Sequence, residues 1–240
     1  WPERTKVAVL VGYTVLLLAG GLLLRLKSKL VVTGMALLAL GVIAIPIDFF
    51  AVHYYGLSPV APGVLGLLGA ATSMTVALGV GLLTREALFM WIGHGAGVAA
   101  VCYLMDACGV GTHHWAGPLL ALFGGILALH ELRGRLAPDP ESAVHKLVAP
   151  AGIVSVVGAS AALVWHLLEW TAFRAMTAAG DPVGVIVPLV LAAAYFTVLS
   201  LRRGLGPLMA VPAALKLVIL AAVLRALEIA PQEWPIYFGL

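Results

Sequence analysis

The chain has 240 residues, of which 62% are hydrophobic and 10% are charged, and its mean hydropathy is +1.07. A soluble domain of this length needs roughly twice that share of charged residues to cover its surface, so the composition excludes a soluble protein and indicates a membrane protein. The net charge of +3 comes mainly from the connections between apolar runs and does not suggest nucleic-acid binding.

Eight apolar runs follow one another along the chain, each about as long as a helix that crosses a bilayer. A helix is predicted because it satisfies its own backbone groups in lipid, whereas the strands of a β-barrel alternate apolar and polar residues. The predicted spans are residues 7–24, 30–47, 59–83, 87–107, 116–132, 147–172, 183–201 and 207–227. The predicted fold is therefore an all-α, polytopic transmembrane bundle of about eight helices, in one membrane domain over residues 1–240.

Basic residues concentrate in alternate connections between the predicted spans, as they do on the cytoplasmic side of membrane proteins. Nine of the 14 Lys and Arg lie there, namely Arg25, Lys27, Lys29, Arg85, Arg133, Arg135, Lys146, Arg202 and Arg203. This asymmetry predicts that both termini lie on the non-cytoplasmic side of a cell (inner) membrane. It also places "IPIDFFAVHYYG" (45–56), which interrupts the apolar pattern, on the outer side.

Three outward segments carry histidine and carboxylate side chains, which are ligands that zinc, copper and iron take in proteins. The candidate metal ligands are His53, Asp106, His113, His114, His166 and Glu169. His166 and Glu169, in "VWHLLEW", are three residues apart on a predicted helix, so they share a face and could bridge a metal. The alternative is that the Trp, Tyr and His residues of these segments simply occupy the interfacial belt.

Other polar residues form the candidate path for a substrate or ion, which consists of Lys216, His94 and Asp48. Lys216 lies at the middle of the eighth run, where an ammonium group is costly and typical of a functional site. We expect it to face the interior of the bundle; the alternative is a long stem that snorkels into a polar cavity. His94 and His130 lie at similar depths in their spans, which would suit a b-type haem, the less favoured cofactor.

Several fragments of the first 173 residues stand in an order that is found in a known family. They are "WPER", "GMALLALGVIAIPIDFF" with "HYYGLSP", "APGVLGLLGAATSMTVALGVGLLTREALF", "HGAGVAAVCYLMDACGVGTHH" and "LRGRLAPDPESAVHKLVAPAGIVSVVGASAALVWHLLEWTAF". Together they resemble one of the membrane subunits of the particulate methane and ammonia monooxygenases, the copper membrane monooxygenase family. The chain departs from that family at Val42, where the family has a Glu, and its last two predicted spans have no counterpart. The resemblance implies a copper-linked oxidoreductase in which this chain is chiefly a scaffold, because the metal ligands of the family lie mainly on other subunits.

Two classes of function remain open. In the first, the chain is an integral membrane enzyme or enzyme-complex subunit, monooxygenase-like, with an outward-facing His/carboxylate site. That site would use copper or another transition metal and act on a small or lipophilic substrate. In the second, the chain is a small transporter or channel with a polar path past Lys216 and His94. No convincing duplication relates the two halves of the sequence, as it often does in carriers, so the first class is favoured. The expected partners are membrane lipids and either other membrane subunits or further copies of this chain.

Overall fold

The structure, a computed structural model, describes residues 1–27, 29–136, 139, 142–172, 182–204, 209–229, 231–233 and 237–238. Every regular element in these ranges is helical, which confirms the predicted all-α class. The α-helices are α1 (Glu3–Lys27), α2 (Val31–Tyr54), α3 (Pro62–Thr84), α4 (Ala87–Ala107), α5 (Ala116–Leu136), α6 (Ala143–Val148), α7 (Ala151–Ala172), α8 (Pro182–Arg203) and α9 (Ala210–Ala226). Short 3-10 helices cover Thr112–His114 and Pro231–Glu233.

Six helices in the described ranges are long and apolar enough to cross a membrane, namely Glu3–Lys27, Val31–Tyr54, Pro62–Thr84, Ala87–Ala107, Ala151–Glu169 and Val183–Arg203. Large apolar side chains stay exposed on these helices; Val32 is 83% exposed and Leu16 is 70% exposed. Apolar surfaces of this extent are normally covered by lipid or by another protein. The chain is therefore a membrane protein with several spans.

The two other predicted spans coincide with α5 and α9, which do not meet the same conditions of length and composition. α9 has only 17 residues. α5 has 21 residues, but its last turns carry Glu131, Arg133 and Arg135. Charged residues near one end lower the mean hydropathy of a helix without preventing it from reaching the bilayer surface, where long side chains are solvated.

Two helix boundaries differ from the predicted ones. α2 runs as far as Tyr54, so the polar segment that follows residue 47 continues the helix. The sixth predicted span, 147–172, begins only at Ala151, because α6 ends at Val148 and two turn residues separate it from α7. The second of them is Pro150, which lacks the N–H group that a continuous helix would use.

The chain divides into two compact units, which are described separately. Unit 1 comprises Trp1–Val110 and His130–Gly152, and unit 2 comprises Gly111–Leu129 and Ile153–Leu240. In unit 1, α1 packs on α2, α2 on α3 and α3 on α4, while the short α6 contacts both α3 and α4. The core of unit 1 is formed by Leu38, Val42, Ala77, Val80 and Phe89. The single membrane domain expected from the sequence stays a prediction.

The contact between α1 and α2 depends on a glycine in each helix. A Cβ at Gly21 would lie 2.8 Å from the carbonyl oxygen of Gly34, and a Cβ at Gly34 would lie 2.7 Å from the backbone N of Arg25. These are backbone atoms, which cannot rotate aside as a side chain can. Small residues of this kind let helices approach closely in lipid, where van der Waals packing largely replaces the hydrophobic effect.

Pro46 lies inside α2 and interrupts the hydrogen bonds of that helix. Because proline has no N–H group, the carbonyl of Val42, four residues earlier, loses its donor within the helix. The buried hydroxyl of Ser73, on α3, donates to that carbonyl oxygen at 3.3 Å. α3 therefore supplies the hydrogen bond that the proline removes from α2.

Unit 2 contains α7, α8, α9 and the first part of α5. α8 packs on α9, and Gly158 of α7 lies so close to the ring of Phe123 on α5 that the ring occupies the position of a Cβ. α7 and α8 are joined by a hydrogen bond of 2.8 Å between the hydroxyls of Ser155 and Tyr195. Both side chains are buried, so water competes little for this bond.

Candidate functional site

His166 and Glu169, the pair predicted from their spacing, both lie on α7 in unit 2. His166 is only 4% exposed, and its Nε2 is 3.1 Å from the carbonyl oxygen of Val185 on α8. Because a carbonyl can only accept a hydrogen bond, Nε2 carries a proton and donates it. In the neutral imidazole, Nδ1 is then the acceptor. This hydrogen bond fixes both the orientation and the tautomer of the ring.

Glu169 follows His166 by three residues and therefore lies on the same face of α7. Its side chain is half-buried, and its Oε2 is buried without a hydrogen-bond partner in the described part of the chain. Leaving a buried acceptor unsatisfied costs about 1–3 kcal/mol, and more for a charged group. A carboxyl in this state within a membrane helix is typical of a site that takes a proton, an ion or a polar substrate group.

The predicted outer residues of unit 1 lie on the last turns of α2 and α4. Asp48 is half-buried and His53 is exposed. They are five residues apart, about 140° around the helix, so they do not share a face. Asp106 is exposed, and its Oδ2 is 2.5 Å from the position that a Cβ would take at Gly63, near the start of α3. The peptide dipoles at a helix N-terminus favour a carboxylate there, which gives Asp106 a structural role.

A metal centre needs several of these donors at one point. Within the described residues, no group of three or more His, Cys, Asp and Glu side chains is placed to hold a metal ion. His114 is half-buried, whereas the side chain of His113 lies outside the described part of the structure. In addition, Nε2 of His166 is already bonded to a carbonyl. The described donors therefore do not fit the sets that copper, zinc or iron require, and the copper-linked site stays a prediction.

His94 and His130, both in unit 1, each contact a backbone carbonyl. Nδ1 of His94 is 2.8 Å from the oxygen of Met90 in its own helix, and Nδ1 of His130 is 3.4 Å from the oxygen of Val148. The opposite edge of the His130 ring packs against Gly152, with Nε2 at 2.7 Å from the position of a Cβ there. An axial bond to haem iron would need that nitrogen to be open, so the packing does not favour haem at His130.

Lys216 lies on the exposed side of α9. The buried side of this helix is formed by Pro212, Leu215, Ala222 and Leu224. The expectation that Lys216 faces the interior is therefore not met within unit 2, because α9 directs these apolar residues inward. A polar path past Lys216 loses its main structural support within this unit.

Two contacts between distant residues are not apparent in the sequence. Nη2 of Arg25, near the end of α1, donates to Oε1 of Glu86 at 2.9 Å, in the turn between α3 and α4. The charge pattern places these two residues on one side of the membrane, but only the packing of four helices brings them together. The second contact, between the Ser155 and Tyr195 hydroxyls, joins residues 40 positions apart, and two hydroxyls in apolar helices carry no signal of pairing.

No family model, no curated protein and no solved structure matches this chain. The resemblance to a membrane component of the copper monooxygenases therefore stays a prediction. It transfers no residue role to the site on α7.

Proposed function

We propose that this chain is an integral membrane enzyme or enzyme-complex subunit whose outward-facing site is built on Glu169 and His166. The observation that carries the proposal is the buried Oε2 of Glu169, which has no hydrogen-bond partner in the described part of the chain. A carboxyl in this position is suited to take a proton from a bound substrate and to return it, which is general acid–base chemistry. Glu169 is therefore the proposed catalytic residue.

His166 is proposed as a positioning residue. Its Nε2–H group is committed to the carbonyl oxygen of Val185, and this bond links α7 to α8. Next to this pair, Trp165 and Leu168 are 49% and 56% exposed. A small or lipophilic substrate could therefore reach Glu169 from the bilayer, along an apolar surface beside the carboxyl.

We also propose that α5 and α9 cross the membrane, which gives eight spans with both termini outside the cell (inner) membrane. Their 21 and 17 residues lie within the range of about 17–25 that spanning helices use. Nine of the 14 basic residues then lie in cytoplasmic connections. The ion pair between Arg25 and Glu86 supports this arrangement for unit 1, because it joins two of those connections. Lipids would cover the exposed apolar faces, with other membrane subunits or a second copy as further partners.

A proton-coupled carrier is the second candidate. It is favoured by the position of Glu169 at the end of a helix that can span the membrane, since transporters relay protons through acidic side chains in such helices. The two candidates share the proton-binding carboxyl and differ in whether a proton crosses the membrane.

Proton binding by Glu169 is tested with a hydrophobic carbodiimide, a reagent that modifies protonated carboxyl groups in apolar surroundings. We expect mass spectrometry of the wild-type chain in lipid nanodiscs to find the adduct on Glu169, and Glu169→Gln to lose it. Glu233, which is exposed and also belongs to unit 2, is the matched control, so Glu233→Gln should keep the adduct. Modification of Glu233 without modification of Glu169 would contradict the proposal.

Proteoliposomes separate the enzyme from the carrier. A pH-sensitive dye trapped inside reports proton entry when an external acid pulse is applied. A carrier would give a proton flux that Glu169→Gln abolishes and Glu233→Gln preserves. An enzyme would give no flux above that of empty liposomes, and its Glu169 adduct would remain.

The orientation is tested by labelling single cysteines in a chain in which Cys102 and Cys108 are replaced by Ser. An impermeant thiol reagent added outside the cell should modify His53→Cys and His114→Cys. The same reagent should leave Lys27→Cys and His145→Cys unmodified until the membrane is opened. The reverse pattern would place Glu169 on the cytoplasmic side and remove the outward-facing site.

A further inference from the structure

A pocket in unit 1 lies where the turn between α3 and α4 meets the end of α6. Its volume is about 330 Å³, near the lower end of the range of roughly 300–1,000 Å³ found for ligand pockets. Its lining residues are Arg85, Glu86, Ala87, Met90, Trp91, Lys146, Ala149 and Pro150. The pocket lies in the unit that does not contain Glu169, so its ligand is independent of the proposed acid–base site.

The charged side chains of this pocket favour an anion. Arg85 and Lys146 are the cations of the lining, and Glu86 is its carboxylate. Glu86 is paired with Arg25, which approaches it at 2.9 Å and offsets its charge. The lining and its ion-pair partner are therefore net positive. Arg and Lys are also the side chains that proteins use for phosphate, Arg as a fork of donors and Lys as a point charge.

Arg85 occupies a backbone conformation that usually belongs to glycine. It is the C-cap of α3 and has φ 58°, in the left-handed region. Glycine is common at this position because a Cβ is strained there. Replacing Arg85 by Gly would therefore remove the cation and relax the backbone in one step, which separates loss of binding from loss of folding.

An exposed apolar stripe continues from the pocket along α4. Trp91, in the lining, is 39% exposed, and Leu88, three residues earlier, is 46% exposed. Gly95, four residues after Trp91, is exposed, and a Cβ there would meet no heavy atom within 4 Å. These three residues share one face of the helix. Trp near the polar end of a span is typical of the depth at which lipid headgroups lie.

We propose that this pocket binds a phosphate group through Arg85 and Lys146. The phosphate group is common to an anionic phospholipid and to a soluble phosphate. The stripe of Leu88, Trp91 and Gly95 favours the lipid, since an acyl chain can follow it while the headgroup occupies the cationic pocket. Basic pockets at the ends of membrane helices bind anionic headgroups in this way.

The test uses the full chain and two probes. In the first arm, the protein is released from nanodiscs of mixed phosphatidylcholine and phosphatidylglycerol, and native mass spectrometry counts the phosphatidylglycerol that it retains. In the second arm, inorganic phosphate is titrated into the protein in uncharged detergent by calorimetry. Arg85→Gln and Lys146→Gln should each weaken the binding by about tenfold, since each removes a charge-assisted hydrogen bond.

Lys27→Gln is the matched control, because Lys27 is an exposed cation of unit 1 outside the pocket, and it should change nothing. Arg85→Gly should lose binding like Arg85→Gln while its thermal stability equals or exceeds that of the wild type. Retention of phosphatidylglycerol without binding of inorganic phosphate identifies a lipid headgroup as the ligand. Binding of inorganic phosphate with the same dependence on Arg85 identifies a soluble phosphate. Equal effects of Arg85→Gln and Lys27→Gln, or no binding of either probe, would overturn the proposal.

Discussion

The two units of the molecule place their polar side chains in different ways. In unit 1, Arg25 and Glu86 form an ion pair at helix ends, where their side chains are 24% and 32% exposed. In unit 2, Ser155 and Tyr195 bond to each other inside the packed helices, and His166 bonds to a backbone carbonyl. The difference follows from desolvation: charges stay where water reaches them, and the groups that are buried are neutral and bonded. Glu169, with its unsatisfied buried oxygen, departs from this rule.

The units also differ in what fills the space beside their closely packed glycines. Gly34 of unit 1 faces backbone atoms, whereas Gly158 of unit 2 faces the ring of Phe123. A backbone cannot move without moving a helix, while a ring can turn. Substitutions at these positions should therefore have different effects on stability.

The largest effect is expected for Gly34→Ala in unit 1. Its Cβ would lie 2.7 Å from the backbone N of Arg25, so α1 and α2 would have to separate. We expect a loss of about 3 kcal/mol, at the upper end of the cost of overpacking, measured by reversible unfolding in mixed micelles. Gly12→Ala is the control on α1, because a Cβ there meets nothing within 4 Å, and it should be neutral or stabilising. Equal stability of the two variants would show that this helix contact does not need glycine.

A smaller effect is expected for Gly158→Ala in unit 2. The new methyl group displaces the ring of Phe123, which is a single side chain, so we expect a loss of about 1–2 kcal/mol. Phe123→Leu should recover part of this loss when it is combined with Gly158→Ala, although alone it leaves a cavity. A double-mutant cycle in the same unfolding assay measures this coupling. Strictly additive effects would mean that the ring is not the obstacle.

Removal of the hydroxyl pair of unit 2 is expected to cost about 1 kcal/mol for each single change. Tyr195→Phe leaves the Ser155 hydroxyl without its partner across the helices, and Ser155→Ala leaves the Tyr195 hydroxyl buried. The double variant should be more stable than the sum of the single losses predicts, because it leaves neither hydroxyl behind. Additive losses would indicate that the bond between α7 and α8 contributes nothing beyond its separate groups.

The smallest effect is expected for Glu86→Gln in unit 1. An ion pair that is about one quarter to one third exposed contributes about 0.5 kcal/mol, since solvent and salt screen it. The loss should shrink as the ionic strength of the unfolding assay rises, whereas the effect of Tyr195→Phe should not respond to salt. A Glu86→Gln effect that is large and insensitive to salt would mean that this end of unit 1 is as dry as unit 2.

Local properties of the sequence predicted most of the fold. Run length and hydropathy predicted the six helices that can span a membrane, because both are read from a single segment. The break before Ala151 and the passage of α2 through Pro46 were not predicted. The second of these depends on Ser73, which lies on another helix.

The candidate site shows the same division. The spacing of three residues predicted that His166 and Glu169 share a face of one helix, and α7 confirms that they do. The partner of His166 is the backbone oxygen of Val185, and a carbonyl has no signature in a sequence. The inward direction expected for Lys216 was wrong within its unit, because hydropathy says how deep a residue lies but not which way it faces.

The bond between Ser73 and the carbonyl of Val42 has a consequence for biogenesis. During synthesis α2 emerges before α3, and until α3 arrives the carbonyl freed by Pro46 has no donor, a deficit that hydrocarbon cannot satisfy. We therefore expect α2 and α3 to enter the bilayer together as a helical hairpin. Protease protection of translation products that end before and after α3 would reveal this as incomplete insertion of α2 in the shorter product. Ser73→Ala should keep α2 poorly inserted even in the longer one.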